Sequence, residues 1–328
     1  MYVRAIKQRL KLNKNQYKLV KHYCYHSRAL YNSMLYICKC HYESTGEYIG
    51  YNNLYHESKQ CHHFRQIPAM ISGQLVRLVD QNYRSFFALM RKKANGQYAG
   101  EVSKPKFKKS GSEFILILDN TRVKIRNGEI KITKDLVLPF SHKIQGTIKQ
   151  TVIKPKGGKY YEIIISYEEE KKVVENKDAN RYIAIDLGLN NLASCYSNVG
   201  KAFIINGKPL KSYNQNYNKR KAKIQAGLKK CNDKKWSNTL SQINNNRTNW
   251  VSNYMHQSAS KIIKKCKELG IGKIICGYNQ EWKQEINIGA KNNQNFVCIP
   301  HRSLVEKLKT KCENHGIEFV LQEESYSY

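Results

Sequence analysis

The stretch RYIAIDLGLNNLASCYSNVGKAFIING, residues Arg181–Gly207, decides how the second half of the chain folds. Its apolar residues predict a buried strand over Tyr182–Leu187, a second strand over Leu192–Ser197 and a third over Ala202–Asn206. The first strand carries one acid, Asp186, among apolar neighbours. A carboxylate in that setting is costly to bury unless it meets a cation or a hydrogen-bond donor. Asp186 is therefore the strongest candidate in the chain for a chemical role.

The rest of the second half continues this pattern with alternating helices and strands. Ser212–Leu269 is polar, long and largely helical, Lys273–Tyr278 reads as a buried strand, Pro300–His315 as a helix and Ile317–Gln322 as a last strand. Three strands in a meander followed by helices, a strand, a helix and a strand are typical of an RNase H-like nuclease core. In such a sheet the first strand lies beside the fourth, and the fourth beside the fifth. The ends of these parallel strands then open on one crevice.

The first half is predicted to combine helices with short strands. Tyr2–Leu12 alternates like a strand, and apolar residues at helical spacing predict helices over Tyr17–Cys38 and Met70–Lys93. A polar segment rich in histidine and tyrosine separates the two helices. From Phe114 the pattern changes to strands, among them a hairpin turning at Asn127-Gly128. Several short strands closing on the N-terminal strand predict a small β-barrel or sandwich.

These elements divide the chain into two domains of an α+β protein. Residues 1–178 are expected to form a nucleic-acid-binding β-barrel (1–12 and 110–170) with a helical insertion (13–95). Residues 179–328 are expected to form an RNase H-like α/β nuclease domain that is incomplete at its C-terminus.

The composition favours a polyanionic partner. The chain of 328 residues has 57 Lys and Arg against 25 Asp and Glu, a formal net charge of +32. Nucleic acid fits this excess better than a membrane surface, so we expect no membrane partner. No run approaches the ~18 apolar residues of a spanning helix, and no signal peptide is visible, so a cytoplasmic location is expected.

The ten cysteines are read as reduced core residues. None stands in a C-x-x-C pair, and the Cys-x-Cys at Cys38 and Cys40 would place its sulfurs on different faces of a helix. A metal site from these residues, Cys61 and the nearby histidines is an open but weaker interpretation. We expect no zinc site within the chain.

Two basic segments are candidates for nucleic-acid contact. The first segment combines lysines with one aromatic ring, which suits a phosphate backbone and a stacked base, and its candidates are Lys104, Lys106, Phe107, Lys108 and Lys109. The second, Lys219–Lys235, contains one acid, and its candidates are Lys219, Arg220, Lys221, Lys223, Lys229 and Lys230. The alternatives are an ordinary solvated loop for the first segment and a solvated helix face for the second.

Phosphodiester hydrolysis on this fold needs carboxylates that hold two divalent ions, for which Mg²⁺ is the natural choice. Asp186 is the expected first ligand. The end of the fourth strand, where a second acid usually lies, reads Cys276-Gly277-Tyr278. Glu323 and Glu324, at the tip of the fifth strand, are the preferred substitutes. Only one of two consecutive strand residues can face the site, and the sequence leaves open which one does.

The chain resembles the TnpB family, the compact RNA-guided nucleases of insertion sequences and relatives of type V CRISPR effectors. The resemblance is carried by LKLNKNQYKLV, ALYN, GQLVRLVDQNYRSFF and KPKFKKSG in the first half, and by IAIDLGLNNLAS, GYNQEWKQEINIGAKNNQNFVCIP and EESYS in the second. The segment around GYNQEWKQE looks like the branch whose second catalytic acid has moved to the EES segment. Trp282 and Lys283 of that segment are added to the nucleic-acid-binding candidates.

The resemblance implies a RuvC-type, Mg²⁺-dependent endodeoxyribonuclease of a transposable element, with a guide RNA and a target DNA as partners. Many family members continue into a cysteine-rich zinc ribbon and a last catalytic aspartate. This chain looks like a C-terminally truncated member, so catalytic inactivity is one expectation. The alternative function is a non-catalytic guide-RNA- or DNA-binding protein, and a third interpretation is a structural basic protein.

Overall fold

The computed structural model describes residues 2–120, 123–157, 160–170, 178–232, 234–279 and 299–323. The chain separates into two compact units, Met1–Lys171 and Lys172–Tyr328. Each unit combines helices with strands around a hydrophobic core of its own. Among the helices in these ranges, none has the length and apolar character needed to cross a membrane.

The helices of the first unit precede most of its strands. They are α1 (Lys14–Thr45), α2 (Gly50–Gln60), α3 (His62–Arg65) and α4 (Ala69–Ala94). The predicted start of α1 is confirmed, because the side chains of Asn13 and Gln16 each accept a hydrogen bond from the other's backbone N–H. The sequence did not reveal α2 and α3. Only Leu54, Ser58 and Phe64 of these two helices are buried, which leaves no continuous apolar stripe to recognise.

The strands of the first unit are all antiparallel to their neighbours. They are β1 (Tyr2–Arg9), β2 (Leu116–Asp119), β3 (Lys124–Arg126), β4 (Glu129–Lys131), β5 (Val137–Pro139), β6 (Thr147–Lys156) and β7 (Tyr160–Glu169). One sheet has the order β1-β7-β6-β2 and the other the order β3-β4-β5. The predicted hairpin turn between β3 and β4 is confirmed, with φ of 50° at Asn127 and 78° at Gly128.

The predicted β-barrel is wrong for the described part of this unit. Strands β1 and β2 occupy opposite edges of the four-stranded sheet, and no ladder joins them. The physical reason lies in the core. Apolar side chains of the sheet, such as Leu116 and Ile163, share one cluster with Leu30 and Met34 of α1 and Leu75 of α4. Helices therefore cover the apolar side of an open sheet, and the sheet does not close upon itself.

The second unit is built on one five-stranded sheet of order β10-β9-β8-β11-β12. Its strands are β8 (Tyr182–Asp186), β9 (Asn191–Ser197), β10 (Ala202–Asn206), β11 (Lys273–Gly277) and β12 (Glu318–Gln322). The first three form an antiparallel meander, whereas β11 runs parallel to both β8 and β12. The meander and the predicted neighbours of the fourth strand are confirmed.

Three described helices accompany this sheet: α5 (Lys208–Asn232), α6 (Asn238–Glu268) and α7 (His301–Asn314). Buried residues of β8 and β11, including Ile183 and Ile274, form one core cluster with Ile262 of α6 and Leu304 of α7. Helices α6 and α7 also pack against each other. One side of the sheet is therefore an apolar interface with helices.

Candidate functional site

Asp186 ends strand β8 with its side chain in solvent. The strand alternates strictly, so Tyr182, Ala184 and Asp186 are exposed, while Ile183 and Ile185 are buried on the opposite face. The expected burial of this strand therefore holds for one face only. Because the carboxylate remains in water, it carries no burial cost and is open to an ion or a substrate.

The register of the sheet shows what lies beside Asp186. Cys276 of β11 pairs with Ile185, and Gly277 pairs with Gln322 of β12. Gly277 and Gln322 are therefore level with Asp186 at the carboxyl ends of three neighbouring strands. Adjacent strands are ~4.8 Å apart, which separates the backbones at Asp186 and Gln322 by roughly 10 Å. Gly277 has no side chain, so β11 contributes none between Asp186 and Gln322, and the Gly277 backbone itself is buried.

The predicted second acids follow directly after β12. Glu323 is the first residue beyond the strand, and Glu324 lies outside the described residues, as do Trp282 and Lys283. Within the described ranges, no group of three or more His, Cys, Asp and Glu side chains is arranged to hold a metal ion. The donors that are present have the right chemistry, because the Asp186 carboxylate and the Gln322 amide offer the oxygen ligands that hard divalent ions prefer.

His301 is a residue near this edge that the sequence analysis did not single out. It is fully buried at the start of α7 and donates a hydrogen bond from Nε2 to the carbonyl oxygen of Gly188, 3.0 Å away. Gly188 lies in the turn that follows β8. The side chain thereby ties the loop after Asp186 to α7. A single buried histidine has no periodic signature, so only the fold could show this contact.

Helix α5 carries the second basic segment. It contains Lys and Arg but neither Asp nor Glu. Lys221 is half-buried, and the other candidates on this helix are exposed: Lys219, Arg220, Lys223, Lys229 and Lys230. A helix with this composition presents positive charge without internal neutralisation, which suits a phosphate backbone.

The first three turns of α5 are fastened to α6. The ring of Tyr213 lies parallel to Trp250 with 4.1 Å between the centroids. In addition, Arg247 donates to Asn214 at 2.7 Å, and the Tyr217 hydroxyl donates to Asn244 at 2.5 Å. The part of α5 that carries the basic candidates therefore follows directly after the part that is bound to α6.

The first basic segment, Lys104–Lys109, is called the basic loop below. The Asn32 side chain holds the backbone of the basic loop through two hydrogen bonds. It accepts one from the Lys108 N–H and donates one to the Lys108 carbonyl oxygen, and each is 2.8 Å long. The Lys108 ammonium lies 5.1 Å from the ring centre of Tyr31, and Lys104 lies 5.0 Å from that of Tyr42. Phe107 is 54% exposed at the tip. The loop is thus fixed by its own polar and aromatic contacts.

Part of the chain matches a known protein family. Residues 164–283, which run from β7 to beyond β11, match OrfB_IS605, a family described as a probable transposase. This match supports the resemblance to the TnpB family that the sequence motifs carry. A comparison of the sequence with curated proteins finds no match.

Solved structures give a likeness in fold. A chain in the cryo-EM structure of a Cas12f1–sgRNA–target DNA complex is similar with a TM-score of 0.55 and 13% identity, over 95% of this chain and 74% of the other. A chain in a CRISPR-Cas12f ternary complex gives a TM-score of 0.37 and 12% identity, over 94% and 72%. At such identities the first likeness concerns the fold alone.

Proposed function

We propose that this chain is an RNA-guided DNA endonuclease of an insertion sequence. The observation that carries the proposal is the exposed Asp186 at the carboxyl end of β8, level with Gly277 of β11 and Gln322 of β12. The strand order around it agrees with the order expected of an RNase H-like sheet, and the match to OrfB_IS605 covers β8 and β11. The similar Cas12f1 chain is in complex with an sgRNA and a target DNA, which supports the same two classes of partner here.

In this proposal Asp186 and one of Glu323 and Glu324 hold Mg²⁺. The bound ions would clamp the attacking and leaving oxygens of the scissile phosphate. Residues 320 and 322 of β12 share the face of Asp186, and Glu324 is the next residue of the same parity in the sequence. We therefore expect Glu324 to matter more for cleavage than Glu323.

The chain's own cations are proposed to hold the nucleic acid in place for this step. The exposed lysines and arginine of α5 suit a phosphate backbone, because the helix has no acid to compete for them. The basic loop adds the lysines around Phe107. Both surfaces are proposed to bind without the metal, so binding and cleavage can be measured separately.

The test is cleavage of a plasmid whose target is matched to the guide. RNA that purifies with the full-length protein is sequenced to obtain the guide, and a plasmid bearing the complementary target is incubated with Mg²⁺. The protein should cut this plasmid, and Asp186→Asn should give no product while still binding the RNA. The matched control is Glu318→Gln, at the opposite end of β12, where the carboxylate pairs with Lys273 at 3.1 Å.

Two results would contradict the proposal. Equal cutting by the protein and Asp186→Asn would remove Asp186 from the mechanism. Steeply salt-dependent RNA binding without any product, over the full range of Mg²⁺ concentration, would instead make the chain a non-catalytic guide-RNA- or DNA-binding protein.

A further inference from the structure

A cavity of about 440 Å³ lies in the first unit between α1, α4 and the basic loop. Its volume falls within the ~300–1,000 Å³ of typical small-molecule sites. Its lining is largely aromatic and includes Tyr42, Tyr48, Tyr83, Phe87, Met90 and Phe107. A cavity with such walls offers flat faces on which a planar group can stack.

The inner wall of this cavity is held in shape before any ligand arrives. The rings of Tyr48 and Tyr83 stack with 5.1 Å between centroids. The Tyr48 hydroxyl donates to Asp80 at 3.2 Å, and Asp80 in turn pairs with Arg84 at 2.7 Å. A ligand that stacks here does not have to order these rings, which lowers the entropic cost of binding.

The mouth of the cavity combines exposed apolar surface with charge. Tyr42, Met90 and Phe107 are 43%, 46% and 54% exposed. Lys104 lies over the Tyr42 ring, and Lys39 pairs with Glu43 at 3.6 Å at the same cavity. An apolar interior bordered by two cations complements a molecule that has a planar apolar part and an anionic part.

We infer that this cavity takes one unpaired base of an RNA strand. The base would stack on Phe107, and the phosphate would lie at Lys104. The Glu43 carboxylate would accept a hydrogen bond from the ribose 2′-hydroxyl, the group by which proteins distinguish RNA from DNA. A purely apolar peptide would offer no anionic group to Lys104, which lies over the Tyr42 ring. The inference rests on the proposed function, which supplies RNA as the partner.

The test measures binding of a short oligouridine RNA that contains one fluorescent adenine analogue. Stacking on a protein ring should quench the analogue when the full-length protein binds. Phe107→Ala should weaken binding of this strand ~10-fold, in line with the contribution of one stacked base, and should abolish the quenching. The matched control is Tyr36→Ala on α1, because Tyr36 is 62% exposed and does not line the cavity. This control should change neither quantity.

An RNA strand with an abasic position in place of the analogue separates base stacking from charge. Phe107→Ala should have no effect on the affinity for this strand, and an equal loss on both strands would overturn the inference. Equal binding of the corresponding DNA strand would overturn the assignment to RNA. Self-association of the protein that depends on Phe107 would make a second copy of the chain the occupant.

Thermal melting shows whether the variants fold. Met90→Ala is a second variant at the mouth of the cavity, and it should also lose the quenching. The result is independent of cleavage, because Asp186→Asn should quench as the unmodified protein does. If the unmodified protein quenches the analogue but does not cut the guide-matched plasmid, only the proposed nuclease function is contradicted. Guided cutting without quenching would remove only the base site.

Discussion

The basic loop and helix α5 have similar charge and different structural support. In the basic loop, Lys104 and Lys108 lie over aromatic rings, and Asn32 holds the backbone at Lys108. Helix α5 contains no acid, and Tyr213, Asn214 and Tyr217 in its first three turns fasten it to α6. Recognition of a base needs rings in fixed positions, whereas attraction of a phosphate backbone needs only charge density. The two segments are therefore suited to different parts of one nucleic acid.

The largest expected effect comes from removing charge on α5. Replacing Lys219, Arg220, Lys221 and Lys223 together by Gln should reduce the slope of log affinity against log salt by about 0.7 for each lost phosphate contact. At low salt the affinity for RNA should fall on the order of 100-fold. Affinities measured over a series of salt concentrations check this.

The control for this charge removal has the same loss of charge on α6. Lys261, Lys264, Lys265 and Lys267 are all exposed near its C-terminus, and their replacement by Gln should have a much smaller effect. Equal losses in the two variants would mean that net charge matters and that the position of α5 does not.

A smaller effect is expected from Asn32→Ala. This change removes the partner of both the N–H and the carbonyl group of Lys108, which should cost about 1–3 kcal/mol of unfolding free energy. Quenching of the base analogue should weaken, while the salt slope set by α5 should remain. Thermal melting and the fluorescence titration measure the two effects, with Asn53→Ala on the exposed face of α2 as the control. An unchanged melting temperature would show that the basic loop does not depend on this clamp.

The smallest expected effect is a loss of stability at low pH, and it arises at the contact between α1 and α3. The Nδ1 atoms of His26 and His63 are 2.9 Å apart, and burial lowers the pKa of His26 to about 4, assisted by the charges of His22, His63 and His62. Burial also lowers the pKa of His63. A histidine with a lowered pKa stabilises the fold fully above its ordinary value near 6.5 and loses that stability as the pH falls toward 4.

The resulting loss in the first unit should be on the order of 1 kcal/mol, after allowing for solvent screening of these partly exposed rings. Thermal melting of the full-length protein near neutral pH and near pH 5 measures it. His26→Gln should flatten this dependence, and His56→Gln on exposed α2 should not. If both variants lose stability in acid as the unmodified protein does, the His26–His63 contact is not the cause.

Local patterns were sufficient for much of the fold. Short apolar runs identified the meander of β8, β9 and β10, apolar spacing identified α1 and α4, and Asn127-Gly128 identified its hairpin. Helices α2 and α3 were missed because few of their side chains are buried. The barrel was wrongly predicted because strand patterns do not say whether a sheet closes on itself or is covered by helices. That choice depends on contacts between residues far apart in the chain, such as Leu30 and Ile163 in one cluster.

The identity of the acid in β8, the excess of positive charge and the absence of acids in α5 are properties of the sequence itself, because each can be read from neighbouring residues or from composition. The exposure of Asp186, its level beside Gly277 and Gln322, and the enclosure of a cavity by the basic loop were decided by the tertiary structure. Strand register and helix packing join residues separated by tens of positions, and the free energy that selects them is shared among many weak contacts. The local spacing of apolar residues does not reveal this total free energy.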